Sequence, residues 1–431
     1  MSGAAYVHAS VHDAAAEIST PGRLLLVECE DCGLRQTIPS RVEDGHVDCV
    51  RCGALLSKRT TRGVEQAIVL NMTALIVFVL ANAFPFITLN LQGRVQNAEI
   101  VSAAYALYQD GMWELGILVL LFAIALPLVK ILGNLYVMIP LHMGVRPPAA
   151  RFVFRWMELV HRWAMMEVFL LGVIVGYVKL ISLATVIFGI ASFSFVALII
   201  LVVAAETFFE PRTVWERLRP SPPASALASI DPKELISCHG CGLLNHTVGA
   251  HPHCERCDAP LHHRKPNGVA RAWALITTAI VLYFPANIYP VMKLNFAGAK
   301  QGATILEGCK ELLFGGMWPL ALLVFFASVT VPMLKLCGLG FLLVSVQRRS
   351  KWRLRERTKI YRIVDAIGRW SMLDIFVLAI LVALVRFGSL ATITPGTGAI
   401  AFAAVVVTTM IAAESFDPRQ IWDAAGANDE R

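Results

Sequence analysis

The sequence predicts an all-α polytopic membrane protein. It is built from two tandem repeats, each a small cysteine-rich domain followed by a four-helix transmembrane module, with eight membrane helices in all. Three observations carry this reading. The 431-residue chain is 56% hydrophobic and only 16% charged, with a mean hydropathy of +0.62, too apolar for an ordinary soluble domain. Apolar runs of about membrane-spanning length recur eight times. Motifs of the first half return in the second about 205 residues later.

Taken in order, residues 1–26 read as a disordered N-terminus without the apolar core of a cleavable signal. A first small domain (27–60) carries Cys29, Cys32, Cys49 and Cys52. A first membrane module (63–215) has spans expected near 67–88, 115–141, 164–183 and 187–208. A linker (216–234) leads to a second small domain (235–265) with Cys238, Cys241, Cys254 and Cys257. The second module (268–422) repeats the spans near 271–292, 317–346, 371–388 and 398–415, before a tail of 423–431. The run from Ala164 to Ala205 is too long for one span, which places a tight hairpin near Lys179; Arg386 and "TPGTG" take that place in the second half.

The repeat is visible residue by residue. "LANAFPFITLN" (80–90) aligns with "PANIYPVMKLN" (285–295), and "HRWAMMEVF" (161–169) with "GRWSMLDIF" (368–376). "FEPRTVW" (209–215) aligns with "FDPRQIW" (416–422). Four spans per half make the repeats parallel in topology. The basic loop 347–362 and its counterpart with Arg146, Arg151, Arg155 and Arg162 set both termini and the 209–270 segment in the cytoplasm. Basic loops of this kind serve topology first, with lipid headgroups or a partner as the alternative role.

Each small domain reads C-x2-C…C-x2-C. Four thiolates from two tight turns make a tetrahedral site, and Gly33, Gly53, Gly242 and Asp258 follow the four knuckles. Zinc is the expected metal at two structural sites. A rubredoxin-like iron site has the same ligand pattern, and disulfides are disfavoured in a reducing cytosol. His239, His246, His251, His253, His262 and His263 crowd the second domain; exposed loop residues and a further metal site are the two readings of them. Cys309 and Cys337 receive no role.

Charged residues inside the spans are costly, about 2.5–3.5 kcal/mol each at a helix centre. Lys335, Asp374 and Glu414 fall at one depth on three antiparallel helices, with Ser328, Ser371 and Thr409 on the same faces. Lys130, Glu167 and Glu206 are the first-module equivalents, where Ala123 and Ala164 replace two of the serines. The pattern supports either an ion relay or a structural pair that fixes helix packing. Pro127 and Pro332 are expected to kink their helices. Asn82 and Asn287 are expected to cap the first helix of each half, and Trp113 and Trp318 to anchor the outer interface.

These features together, the duplicated cysteine pair, "AN…P", "GMW", "P-x-x-K" and "RW-x-x-x-[DE]-x-F", resemble the paraquat-inducible protein A family, in its LetA-like subgroup, over residues 27–422. The resemblance implies an inner-membrane component of a bacterial lipid transport system. It implies a partner with MCE domains that spans the periplasm, and phospholipid movement between the inner and outer membranes; the net charge of +7 needs no nucleic acid to explain it. It also places Ser328, Lys335, Ser371, Asp374 and Thr409 in the family's polar network. No Walker A motif is present, so ATP hydrolysis is not expected and the chain is not read as an enzyme. The membrane charges allow proton coupling. A scaffold that only anchors the MCE partner, and a metal- or redox-sensing membrane protein, are the competing readings.

Overall fold

The computed structural model describes residues 24–39, 45–59, 63–91, 94–109, 111, 113–163, 166–180, 185–246, 253–296, 299–316, 318–384 and 391–427. The expected disordered N-terminus up to residue 23, Arg386, His251, the end of the tail and the side chains of Glu167, Lys179 and Asp374 lie outside the described residues.

Each half begins with short hairpins whose turns carry the cysteines. In the first, β1 (Leu24–Glu28) pairs antiparallel with β2 (Arg35–Pro39), and β3 (Gly45–Asp48) with β4 (Leu55–Arg59). The first membrane helix, α1 (Gly63–Ala83), is apolar nearly all round and rises about 31 Å at 1.5 Å per residue. It ends in β5 (Ile87–Leu91) and β6 (Arg94–Ala98), followed by α2 (Ile100–Gln109). The second membrane helix, α3 (Trp113–His142), runs 30 residues. Next come α4 (Ala150–Trp163), α5 (Met166–Leu180), β7 (Thr185–Phe188), α6 (Ile190–Phe208) and α7 (Pro211–Leu218).

The second half repeats this order. Strands β8 (Leu235–Ser237) and β9 (Leu244–His246) pair around the third knuckle, and a bridge from His253 to Pro260 closes the fourth. The helices are α8 (Gly268–Ile288), α9 (Ile305–Phe314), α10 (Trp318–Gln347), α11 (Leu354–Gly368), α12 (Leu373–Leu384), α13 (Thr397–Ser415) and α14 (Arg419–Asp423). Strands β10 (Met292–Phe296) and β11 (Ala299–Ala303) follow α8, and β12 (Ala391–Pro395) precedes α13.

Of the eight spans expected, six are found at full length among the described residues: α1, α3, α6, α8, α10 and α13 are long and apolar enough to cross a membrane. The described part of the third helix of each half runs 15 residues in α5 and 12 in α12, against the roughly 20 that a bilayer needs. Hydropathy had joined each of these helices to the apolar strand after it. That strand leaves the helix and completes a three-stranded antiparallel sheet, β6-β5-β7 in the first half and β11-β10-β12 in the second. The hairpin residues themselves, 181–184 and 385–390, lie outside the described residues. Two matched glycines let the sheet close. A Cβ on Gly189 would sit 1.9 Å from the Pro85 carbonyl oxygen, and one on Gly396 2.0 Å from that of Pro290.

The short helices form the centre of the molecule. Along α12, Ile375 to Val382 are all buried, so protein rather than lipid surrounds that stretch. It lies on α5, where Phe169 and Phe376 meet edge to face at 5.4 Å. A Cβ on Gly172 would fall 3.0 Å from the Phe376 Cβ, and one on Gly176 3.3 Å from Ile380. This is the small-xxx-small spacing that brings membrane helices into close contact.

The expected kinks appear as π turns. Pro127 and Pro332 have no N–H to donate one turn back. The five residues Leu121–Ala125 and Phe326–Thr330 widen instead, and Leu126 N–H and Val331 N–H donate five residues back to Leu121 and Phe326. Asn82 and Asn287 donate to the Phe78 and Tyr283 carbonyls in the last turn of their helices.

Candidate functional site

Both sets of four cysteines close into buried clusters whose sulfurs all lie within 4.8 Å of one another. Sulfur–sulfur separations are 3.6 Å for Cys29–Cys52 and Cys32–Cys49, 3.4 Å for Cys238–Cys257 and 3.6 Å for Cys241–Cys254. Disulfides need about 2.05 Å. A tetrahedron of Zn–S bonds near 2.3 Å puts sulfurs about 3.8 Å apart, so both clusters can hold a metal ion such as zinc. The residue after each knuckle has positive φ: 71° at Gly33, 67° at Gly53, 68° at Gly242 and 58° at Asp258. Gly240 and Arg256 backbone N–H groups point at Cys238 and Cys254 Sγ, both at 3.4 Å. Such donors favour thiolate. None of the described histidines joins either cluster; His246 pairs with Glu234 at 3.0 Å.

The two cysteine domains are docked crosswise, which the sequence did not reveal. Cys29, Cys32, Cys49 and Cys52 are buried with Ile276, Leu336 and Trp422 of the second module. Arg362 on α11 reaches back to Asp31 at 2.6 Å and to Cys52 Sγ at 3.3 Å. The second cysteine cluster is buried instead with Val137, Phe154 and Trp215 of the first module, and Arg155 on α4 donates to the Cys257 carbonyl at 3.3 Å.

At the seam, buried Arg419 bonds Asp417 and Glu28, both at 3.1 Å, and abuts the His239 ring. Burial, and then the Arg419 charge, push His239 down to about 4. Burial alone would raise Asp417, but Arg419 holds it below the usual carboxylate range. Arg419 lies in "FDPRQIW", so the repeat was the available signal for it, although the motif gave no partner.

Inside the second module Lys335 is fully buried on α10. Its ammonium donates to Thr409 Oγ1 on α13 at 2.8 Å and to Ser371 Oγ, just before α12, at 3.2 Å. Both hydroxyls spend their own protons on carbonyls, Ser371 on Gly368 at 2.7 Å and Thr409 on Val406 at 2.9 Å. Ser328 is buried within the π turn, where it donates to the Val324 carbonyl at 2.6 Å. Glu414 stands at the end of α13, its carbonyl accepting from Lys265. The backbone places Asp374 three residues after Ser371, at the start of α12; its side chain, like that of Glu167, is outside the described residues.

The first module solves the same problem differently. Lys130 is paired directly with Glu206, while Asn134 Nδ2 lies 3.4 Å from Asn71 Oδ1 beside it. Counting back 207 residues, Glu206 aligns with Ala413, not Glu414, and Thr409 aligns with Val202. The pairing expected between corresponding charges is thus a change of partner one turn along the fourth helix.

Comparison with known proteins gives a consistent picture. The family model described as paraquat-inducible protein A matches residues 64–219 and 269–426. The chain is 32% identical over 402 residues to the intermembrane transport protein PqiA of Escherichia coli K12, covering 92% of this chain and 95% of that protein. It is 28% identical over 403 residues to the lipophilic envelope-spanning tunnel protein A of the same organism, covering 94% and 92%. A probable intermembrane transport protein of Haemophilus influenzae is 25% identical, covering 92% of this chain and 95% of that protein. No solved structure matches the chain.

Proposed function

Because the chain belongs to the paraquat-inducible protein A family, we propose that it is a multi-pass subunit of the bacterial inner membrane that moves phospholipids between the inner and outer membranes, together with a periplasm-spanning MCE-domain partner. One observation carries the reading beyond a passive anchor. A lysine is fully buried in a span-length helix and held by hydroxyls from two further segments. A charge at such depth costs about 2.5–3.5 kcal/mol, and anchoring a partner does not require it. In this reading both termini and the cysteine domains face the cytoplasm, which the basic loop 347–362 supports.

In this proposal Ser371 and Thr409 accept from the Lys335 ammonium, and Asp374 is the carboxylate that exchanges a proton with the aqueous phase. Protonating it removes the counter-charge of Lys335 and shifts the balance between two packings of α10 and α12. Ser328 and Glu414 flank the network, and Lys130, Glu167 and Glu206 form its first-module counterpart. The eight knuckle cysteines would hold two zinc ions, whose contribution is a structural staple for domains too small to fold on a core alone.

The test is complementation of a transport-deficient strain by Asp374→Asn and Lys335→Met, with membrane abundance and metal content measured alongside. Both variants are expected to accumulate with metal and to fail complementation. Wild-type complementation by both would remove the relay role.

A further inference from the structure

The motif "F-[DE]-P-R-x-x-W" places Arg212 and Arg419 at equivalent positions of the two halves, but the structure satisfies only one of them. Arg419 has carboxylates on two sides, Asp417 and Glu28. Glu210, at the position of Asp417, is turned away: it accepts from Ser57 Oγ at 2.6 Å, Lys58 N–H at 3.2 Å and Thr213 Oγ1 at 2.8 Å. Arg212 Nη1 is buried and has no hydrogen-bond partner among the described residues. A buried guanidinium N–H left without an acceptor is expensive.

Arg212 lines a cleft of about 970 Å³ that runs from Lys130 and Glu206 between the membrane helices down to Arg419 between the cysteine domains. The other carboxylates on the cleft are engaged: Glu206 with Lys130, Asp417 with Arg419, Asp31 with Arg362 and Glu158 with the Trp215 indole. Glu30 remains, exposed at the rim. It acts electrostatically on Arg212, as Glu210 and Glu216 do, yet makes no ion pair with it closer than 4 Å. The cleft therefore offers a guanidinium N–H without an acceptor and a carboxylate without a close ion pair, beside apolar Trp156 and Leu159 that are exposed on α4. Six carboxylates and six Lys or Arg side chains line the cleft, a balance that suits a zwitterion better than a plain anion.

We propose that this cleft binds a phosphoethanolamine group, its phosphate accepting from Arg212 and its ammonium facing Glu30. The group is supplied by a phospholipid headgroup, whose chains leave over Trp156 and Leu159, or by the soluble phosphoester. The lipid source rests on the transport reading, but binding is measured without turnover, so failure of the assay leaves that reading standing.

Trp156 and Trp215 both line the cleft, so intrinsic fluorescence of the full-length protein in detergent reports on it. The probes are dihexanoyl-phosphatidylethanolamine, dihexanoyl-phosphatidylglycerol and free phosphoethanolamine. Saturable binding of the ethanolamine lipid is expected, weakened at least tenfold by Arg212→Gln and partly restored by Arg212→Lys, at unchanged metal content. Glu30→Gln, at an exposed position, should weaken the ethanolamine lipid and leave the glycerol lipid unchanged; it keeps the test decisive if Arg212 variants do not fold. Equal binding of free phosphoethanolamine assigns the soluble source, and binding of the lipid alone assigns the headgroup. A small pocket of about 10 Å³ on the Arg212 wall has room for about one water. If water alone satisfies Nη1, no probe will bind saturably, or Arg212→Gln and Glu30→Gln will bind as the wild type does, and the proposal fails.

Discussion

Replacing Thr409 by valine keeps the shape of the side chain and removes the oxygen 2.8 Å from the Lys335 ammonium. Lys335 is fully buried and has the Ser371 and Thr409 hydroxyls as acceptors. A hydrogen bond to a charged group contributes about 1.5–3 kcal/mol, and leaving a buried donor short of an acceptor forfeits that amount, so Thr409→Val should cost about 2 kcal/mol. Lys335→Met behaves differently. It removes the charge and its need for acceptors together, while Ser371 and Thr409 keep their carbonyl partners at Gly368 and Val406. In an Asp374→Asn background, where no counter-charge is left behind, replacing the buried charge by an apolar chain of similar length is often neutral or stabilising. Lys335→Met should therefore cost less there than Thr409→Val, and adding Thr409→Val to it should cost under about 1 kcal/mol. The coupling energy, about 1–2 kcal/mol, follows from a double-mutant cycle. It is read by reversible unfolding of the purified chain in mixed micelles. If Thr409→Val costs the same with and without Lys335, the hydroxyl does not act through the ammonium.

Three further outcomes follow from packing, metal and charge. Gly172→Val drives side-chain atoms into Phe376, whose Cβ is already 3.0 Å from where a single added carbon would sit; it should cost about 1–3 kcal/mol, whereas Gly340→Ala, with nothing within 4 Å of the added carbon, should not lower the melting midpoint. Cys29→Ser should reduce metal content by one ion per chain and make α11 of the opposite half more open to proteolysis, because Arg362 anchors there to Asp31 and Cys52; metal loss with unchanged cleavage in α11 would argue against crosswise coupling. Asp417, which Arg419 holds below the ordinary carboxylate range, contributes stability that is present above the unfolded value of about 3.9 and is lost as pH falls through the lower native one, so Asp417→Asn should flatten the acid limb of the melting midpoint relative to wild type, and an unchanged limb would exclude this ion pair as its source.

Features written twice in the sequence were the ones most open to reading. The knuckle spacing, the prolines and the two lysines recur at matched offsets, and one physical requirement explains each pair. The glycine or aspartate after every knuckle adopts the positive φ its turn needs, and each proline is preceded by a π turn. Apolarity was less informative where it did not distinguish solvents. The run through Thr185–Phe188 is as apolar as a helix, yet those residues pair with β5, and α12 is apolar because protein surrounds it. The crosswise docking was invisible because Arg362, Asp31, Arg155 and the Cys257 carbonyl are surface residue types in any one half. Only the three-dimensional exchange of domains gives them partners.

The duplicated lysines show what the two halves hold in common and where they part. Had Lys130 and Lys335 served only to pin helices, one partner would have sufficed in both places. Instead the partners change in a compensating way. Where the first half has Glu206, the second has Ala413; where the first has Val202 and Ala164, the second has Thr409 and Ser371. A carboxylate is lost and two hydroxyls are gained around the same ammonium. The surroundings follow the partners. Glu206 keeps 31% of its side-chain surface exposed and lines the open cleft, while Lys335, Ser371 and Thr409 are sealed to 2% or less. An ion pair tolerates contact with water, whereas an ammonium held by two neutral hydroxyls gains more from a counter-ion than one already paired. Under the relay proposed above, Lys335→Met and Lys130→Met are unequal tests: the first should abolish complementation, and the second should chiefly leave Glu206 without its partner.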